Sequence, residues 1–313
     1  MIEVKVIKKF ILILIHFDYQ TILENMLKKI KQFIILGRFH TPTGALLLAW
    51  PCTWGIAMAK PDLKNLIFFS LMLVIGSFIM RAAGCAWNDI LDRNIDKKTS
   101  RTKHRPIAAG KLSIPEGIIF IFIMLSIGFL ILINLSIPAI IISLISIPLI
   151  VIYPLTKRVT FFPQVWLGIT FNVGILVGYS CISEDYPNIS VIILYIGAIF
   201  WTIGYDTLYA MQDYNDDLLT GVKSTAVKMH KYSGIFAAFS YMICTIIFCT
   251  ALIFNDLNPL SIMIIIILGI WQILHALRTK IKDTSKFIRG FNKSNICGFY
   301  IWVVMIIDLY MLN

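Results

Sequence analysis

The sequence predicts an all-α integral membrane protein, a bundle of nine transmembrane helices, and three observations carry that prediction. Hydrophobic residues fill 58% of the 313 positions and charged residues only 14%, giving a mean hydropathy of +0.82. The apolar residues are gathered into runs long enough to cross a hydrocarbon core of about 30 Å. Those runs are continuously apolar rather than alternating, so each reads as a helix that satisfies its own backbone in lipid, and not as a barrel strand.

The first run, 43–58, is followed by a short loop with Lys60, Asp62 and Lys64. The second, 66–90, leads into a loop with Lys97, Lys98, Arg101, Lys103, Arg105 and Lys111. The third, 115–135, and the fourth, 137–155, are joined without a charge, and Lys157 and Arg158 close the fourth. Glu184 and Asp185 separate the fifth, 164–182, from the sixth, 189–211, after which come Lys223, Lys228 and Lys231. The seventh, 232–254, ends near Asp256, the eighth, 259–277, is followed by six basic residues from Arg278 to Lys293, and the ninth is 295–312. Positive charge thus marks every second loop and the segment before the first run. By the positive-inside bias the N-terminus and those loops are cytoplasmic and the C-terminus is outside. The net charge of +11 is a topology signal, and no nucleic-acid partner is expected.

The six cysteines sit in or beside apolar runs without C-x-x-C spacing, and the five histidines are scattered. Neither set suggests disulfides, zinc or haem. Near the N-terminus "FILILIHF", residues 10–17, is too short to span and lacks a following cleavage site, so no signal peptide is expected. The lysines and apolar residues of "ENMLKKIKQFIILGRF", from Glu24 to Phe39, fit an amphipathic helix on the inner leaflet.

Seven of the seventeen acidic residues fall in two short places, both at cytoplasmic ends of spans. In "NDILDRNID" Asp89, Asp92 and Asp96 recur at helical spacing beside Asn88, and in "YDTLYAMQDYNDD" Asp206, Tyr209, Asp213 and Asp217 do the same. Like charges on one helix face repel, so a compensating cation is expected. Loop lysines could supply it for one cluster. Two matching clusters of hard oxygen ligands suit Mg²⁺, which keeps few protein ligands and completes its shell with water and substrate phosphate. A phosphorylated substrate follows, and basic residues for it lie nearby in Arg101, Arg105, Lys157, Arg158 and Lys223. Arg81 is the one cation well inside a span. The steps 81, 85, 89, 92 and 96 place it on the aspartate face, about two turns deeper, where it either pairs with Asp89 or Asp206 or forks onto a substrate carboxylate.

With "NDILDRNID", "YPLTK" and "YDTLYAMQDYNDD" in this order, and with "RTKHRPIAAG", "KRVTFFPQVWLG" and "DDLLTGVKSTA" between and after them, the chain resembles the UbiA family of intramembrane aromatic prenyltransferases. The resemblance runs from Arg38 to the C-terminus. It divides the chain into a cytoplasmic extension, 1–37, and a transmembrane prenyltransferase domain, 38–313, with a central cavity open to the cytoplasmic side. The opening "RFHTPTG" departs from the family by carrying His40 and Thr41 where an acidic and a basic residue are usual.

The resemblance implies transfer of a polyprenyl group from polyprenyl diphosphate to the ring carbon ortho to the hydroxyl of 4-hydroxybenzoate, in ubiquinone biosynthesis. Other acceptors open to this family are a naphthoate, homogentisate or haem. A secondary transporter is the reading from a different class, but its ion sites usually lie near midplane. The implied roles are Mg²⁺ on Asp89, Asp92, Asp96, Asp213 and Asp217, and substrate binding by Arg81, Asn88, Arg93, Arg105, Arg158, Tyr209 and Lys223. Catalytic roles fall to Asp206, which orients or deprotonates the acceptor hydroxyl, with Tyr153 and Lys157. Trp87, Tyr153, Phe171 and Tyr209 are the aromatic faces that would shelter an allylic cation. The expected location is a bacterial inner membrane or the mitochondrial equivalent.

Overall fold

The computed structural model describes residues 22–279 and 284–312, apart from the side chains of 284–289. The run "FILILIHF" and the first lysines lie outside the described residues. The described chain is helical without strands. A helix over 22–36 (α1) is followed by α2 (Thr43–Met58), α3 (Leu63–Leu91), the single turn α4 (Arg93–Asp96), α5 (Ile114–Leu132), α6 (Ile137–Val159) and α7 (Pro163–Ser183). Then come α8 (Ile189–Ala210), a tight turn over Met211–Asp213, α9 (Tyr214–Thr220), α10 (Thr225–Met229), α11 (Ser233–Ile253), α12 (Pro259–Leu277) and α13 (Thr284–Ile307).

Local chemistry starts these helices. Asp62 accepts from the Asn65 N–H at 2.8 Å to cap α3, and Ser136 and Asn188 cap α6 and α8 in the same way. Ser113 and Glu116 form a reciprocal capping box around Pro115 at the start of α5. Among the described residues, eight helices are long and apolar enough to cross a membrane. The expected first span is the shorter α2, with 16 residues, about 24 Å at the helical rise. Its surroundings explain its tolerance of that length: it is packed against α7, α3 and α13 rather than lipid, and its buried face runs from Ala45 to Met58.

The bundle is apolar outside as well as inside. Ile119, Phe122, Leu130, Ile145 and Ile267 are exposed on α5, α6 and α12, where a soluble protein would carry charge. Inside, Trp54, Trp201, Tyr205 and Phe248 pack edge to face in the core shared by α2, α8 and α11. The closest backbone approach is between α2 and α7. A Cβ at Gly178 would lie 2.1 Å from the Cys52 carbonyl oxygen, and one at Gly55 would lie 2.0 Å from that of Ile175. Gly174 and Gly178 thus form a small-xxx-small face, Gly174 making room for the Cys52 thiol and Gly178 letting the backbones touch. All six cysteines are free thiols.

Candidate active site

Both acidic segments lie where a long helix gives out. α3 ends at Leu91, Asp92 takes φ −93° and ψ 4°, and the chain restarts as the single turn α4. α8 ends at Ala210, tightens over Met211–Asp213 and restarts at Tyr214. The continuous faces expected through Asp89, Asp92 and Asp96, and through Asp206, Tyr209, Asp213 and Asp217, are therefore corrected. Stacked carboxylates repel, and the breaks re-aim them so that Asp89, Asp92, Asp96 and Asp213 each meet a cation from outside their own helix.

Asp89 is 1% exposed and holds two arginines. Arg38 Nη2 donates to both of its oxygens at 2.8 Å, and Arg105 Nη1 donates to Oδ1 at 3.1 Å. Arg105 also reaches both oxygens of Asp96, at 3.2 and 3.0 Å. Asp92, fully buried, is paired with Lys157, and Arg158 Nη2 lies 3.7 Å from its Oδ1 while donating to the Leu91 carbonyl at 2.8 Å. Across the site Arg101 forks onto Asp213 through Nε at 2.7 Å and Nη2 at 2.6 Å, with Nη1 3.4 Å from the Tyr209 hydroxyl. Burial pulls against the charge of Arg101, yet the Asp213 fork together with Tyr209 and Asp96 more than offsets it and holds the guanidinium above its ordinary value. Arg105 behaves likewise between Asp89 and Asp96. Asp217 accepts from Ser224 Oγ at 3.1 Å.

Deeper in the bundle, Tyr153 lies close enough to Asp206, Arg81 and Asp92 to feel their charges. Gln164 neighbours Asp206, and its Oε1 accepts from the Thr225 N–H at 3.4 Å. The Arg81 guanidinium stands 5.4 Å over the Phe171 ring, and its Nε is buried without a hydrogen bond. Among the described residues no salt bridge joins Arg81 to Asp89, whose oxygens are already taken. Tyr209 packs on Phe291 with centroids 4.6 Å apart. Asn88 accepts from the Asp92 N–H through its carbonyl at 2.9 Å, and the Arg93 Nε is buried without a partner. Two residues are turned elsewhere. Lys223 Nζ donates to the Val159 carbonyl at 3.0 Å and faces Phe161, while the Trp87 ring donates to the Val151 carbonyl at 3.2 Å.

Sequence reasoning missed Gln164 and the pairing role of Arg38, and it noted Arg101 only as one of several loop cations. The sole signal for Arg38 was its survival in "RFHTPTG". Among the described residues no group of three or more acidic, His or Cys side chains is gathered tightly enough to cage a metal unaided. Magnesium does not need such a cage, since one or two carboxylates plus water and substrate phosphate suffice. The donors are all hard carboxylates, and the buried Oδ1 of Asp92 accepts no hydrogen bond, so the residues fit the ion.

The UbiA prenyltransferase family model matches residues 48–302. The chain is 42% identical over 215 residues to the mitochondrial 4-hydroxybenzoate polyprenyltransferase of Drosophila melanogaster, covering 67% of the chain and 54% of that protein. The chain thus spans about half the length of the mitochondrial relatives it matches. It is 35% identical over 278 residues to the 4-hydroxybenzoate octaprenyltransferase of Psychromonas ingrahamii, covering 88% of the chain and 95% of that relative. The fold is shared with a UbiA homolog from Archaeoglobus fulgidus solved with GPP and Mg²⁺, at a TM-score of 0.63 and 16% identity over 87% of this chain and 99% of that one. Helical bundle, paired acidic segments and ordered motifs agree with a match that covers most of the sequence: the chain belongs to the UbiA family of prenyltransferases.

Proposed function

We propose that the protein transfers a polyprenyl group from polyprenyl diphosphate to the carbon ortho to the hydroxyl of 4-hydroxybenzoate, releasing diphosphate, as a step of ubiquinone biosynthesis. The observation that carries this reading is the meeting of two carboxylate segments, each at a broken helix end, with Arg101, Lys157 and Arg158 between them. The activity named for the relatives above supports it, and the homolog bound to GPP and Mg²⁺ supports a divalent ion at such a site. Asp92, Asp96, Asp213 and Asp217 would hold Mg²⁺. When bound, the ion neutralises charge developing on the departing diphosphate.

The chain's own residues do the rest. Lys157, Arg158 and Arg101 supply donors for the phosphate oxygens at the aspartate end. Arg81 forks onto the acceptor carboxylate and so decides which ring carbon faces the prenyl group. Asp206 orients or deprotonates the acceptor hydroxyl. As the allylic C–O bond breaks, its electron pair leaves with the diphosphate; the ring carbon forms the new C–C bond and then loses its proton. Tyr153, Phe171 and Tyr209 offer aromatic faces to the positive charge between those events. The aspartate end faces the cytoplasm in a bacterial inner membrane or its mitochondrial equivalent, and residues 38–313 form the catalytic domain after a cytoplasmic extension at 1–37.

The test is mass spectrometry of products from purified protein given Mg²⁺, mixed polyprenyl diphosphates and 4-hydroxybenzoate, a naphthoate, homogentisate or haem. Prenylated 4-hydroxybenzoate as the main product is expected. Exclusive prenylation of another acceptor would replace the substrate, and no diphosphate release with any acceptor would end the reading.

A further inference from the structure

We infer that Asp89, although it opens the first acidic motif, is a positioning residue, anchoring through Arg105 the loop 97–112 that carries Arg101 across to the second acidic segment. The inference rests on the prenyl-transfer reading for its kinetic consequence, but its structural part stands on contacts alone.

Asp89 and Asp92 sit three residues apart in different surroundings. The Oδ1 of Asp92 accepts no hydrogen bond. Both oxygens of Asp89 are engaged, in two contacts of 2.8 Å from Arg38 and one of 3.1 Å from Arg105. A divalent ion could claim Asp89 only by displacing two arginines from a carboxylate that is 1% exposed, which is strongly unfavourable, whereas Asp96 and Asp213 hold one arginine each and are more open at 6% and 17%. Asp89 is also fixed from behind. Arg38 occupies the left-handed region at φ 59° and donates through Nη1 to the carbonyls of Ile35 and Leu36, at 2.8 and 3.1 Å, so the last turn of α1 holds the arginine that holds Asp89.

The loop is then pinned at both ends. Arg105 bridges Asp89 and Asp96, and the nearby Ile107 and Leu112, 1% and 2% exposed, plug into an apolar cluster with Leu36, Ala82, Ala86 and Phe120. Four residues before Arg105, Arg101 forks onto Asp213. Ser100 donates to Asp216 Oδ2 from both N–H, at 3.1 Å, and Oγ, at 2.7 Å. Two arginines and two aspartates (Arg38, Asp89, Arg105, Asp96) therefore form a neutral chain that fixes one end of a strap, and the strap's other end presents a guanidinium to the second segment. Loss of the Asp89 charge leaves Arg38 without its carboxylate and Arg105 with Asp96 alone, and frees the strap.

The test uses the full chain in lipid nanodiscs, with Mn²⁺ and inorganic diphosphate as the probe, followed by electron paramagnetic resonance, and with trypsin cleavage at Lys97 to Lys103 as a second readout. Asp89→Asn is expected to leave Mn²⁺ affinity where wild type has it. The same variant should speed cleavage of the strap about ten-fold and raise KM for the prenyl diphosphate about ten-fold, with a smaller change in kcat. Asp92→Asn should do the reverse, losing Mn²⁺ while the strap stays protected. Arg105→Lys keeps the charge but not the bridge, and should loosen the strap with Asp89 intact, so the idea stays testable if Asp89→Asn does not fold. Adding Arg38→Gln to Asp89→Asn, which removes one stranded cation, should recover part of the protection. Mn²⁺ binding lost equally in Asp89→Asn and Asp92→Asn makes Asp89 a ligand and overturns the inference, as does unchanged cleavage in both Asp89→Asn and Arg105→Lys. A wild-type protein that makes no prenylated product instead refutes the proposed function and leaves the Mn²⁺ and trypsin comparisons to decide Asp89.

Discussion

Replacing Arg81 with glutamine should cost the protein its preference for an acidic acceptor. Arg81 lies in α3 two turns deeper than Asp89, about 12 Å along the axis. The partner that spacing offered it is taken, because Arg38 and Arg105 hold Asp89. Asp206 balances Arg81 through space. What remains is a planar cation lying 5.4 Å over Phe171, with a buried Nε that donates to nothing. Gly44 also packs against it, where a Cβ would come within 3.1 Å of Nε and Nη2. A guanidinium held flat in this way matches a carboxylate bidentately, which an ammonium could not do. A hydrogen bond to a charged group is worth ~1.5–3 kcal/mol, and about 1.4 kcal/mol is a factor of ten. Arg81→Gln should therefore weaken selection of the acid by about ten-fold to a hundred-fold. The assay compares initial rates with 4-hydroxybenzoate and with its uncharged amide, in wild type and variant, so that general damage to the site cancels in the ratio. A variant that prefers the acid over the amide as strongly as wild type does refutes the reasoning and turns attention to Arg93 and Arg158.

Asp92→Asn and Asp213→Asn should each nearly abolish turnover; because Asp92 is buried against Lys157, Asp92→Asn should also destabilise the fold by the ~3–5 kcal/mol that breaking a buried pair costs, read as a lower melting temperature, and Lys157→Met added to it should restore part of the loss. Near-normal turnover of either single variant at low magnesium removes the metal assignment. Gly178→Ala forces α2 and α7 apart at the Cys52 carbonyl and should destabilise by ~1–3 kcal/mol, whereas Gly84→Ala, with nothing within 4 Å of the added carbon, should stay within about 0.5 kcal/mol; equal thermal shifts for the two would show that the close approach carries no energy. A reporter fused after Asn313 should be silent if it works only in the cytoplasm, and an active one reverses the orientation.

The helices were legible because lipid leaves so few solutions. A continuous apolar run in this solvent must be a helix, and the capping signals Asp62, Ser113 with Glu116, Ser136 and Asn188 fall within a few residues of the expected starts. The acidic segments were legible as a site by charge alone, but not in their geometry. Helical spacing assumes an unbroken helix, and here repulsion among the aspartates and the pull of distant cations break the helix at Asp92 and again at Met211–Asp213. Those cations leave no periodic trace. Arg38 and Asp89 are 51 residues apart, Lys157 and Asp92 are 65 apart, and Arg101 and Asp213 are 112 apart. For the same reason losing the Asp92 carboxylate does not simply relieve repulsion, because Lys157 stands against it. One set of basic residues serves two purposes, and only the fold separates them. Lys97, Lys98 and Lys103 are exposed at the rim as a topology signal should be, while in the same short loop Arg105 turns inward to Asp96 and Arg101, itself still exposed, reaches across to Asp213. Composition counts all five alike; which side of the loop each faces is decided by Ile107 and Leu112, the apolar residues that seat the loop against α3 and α5.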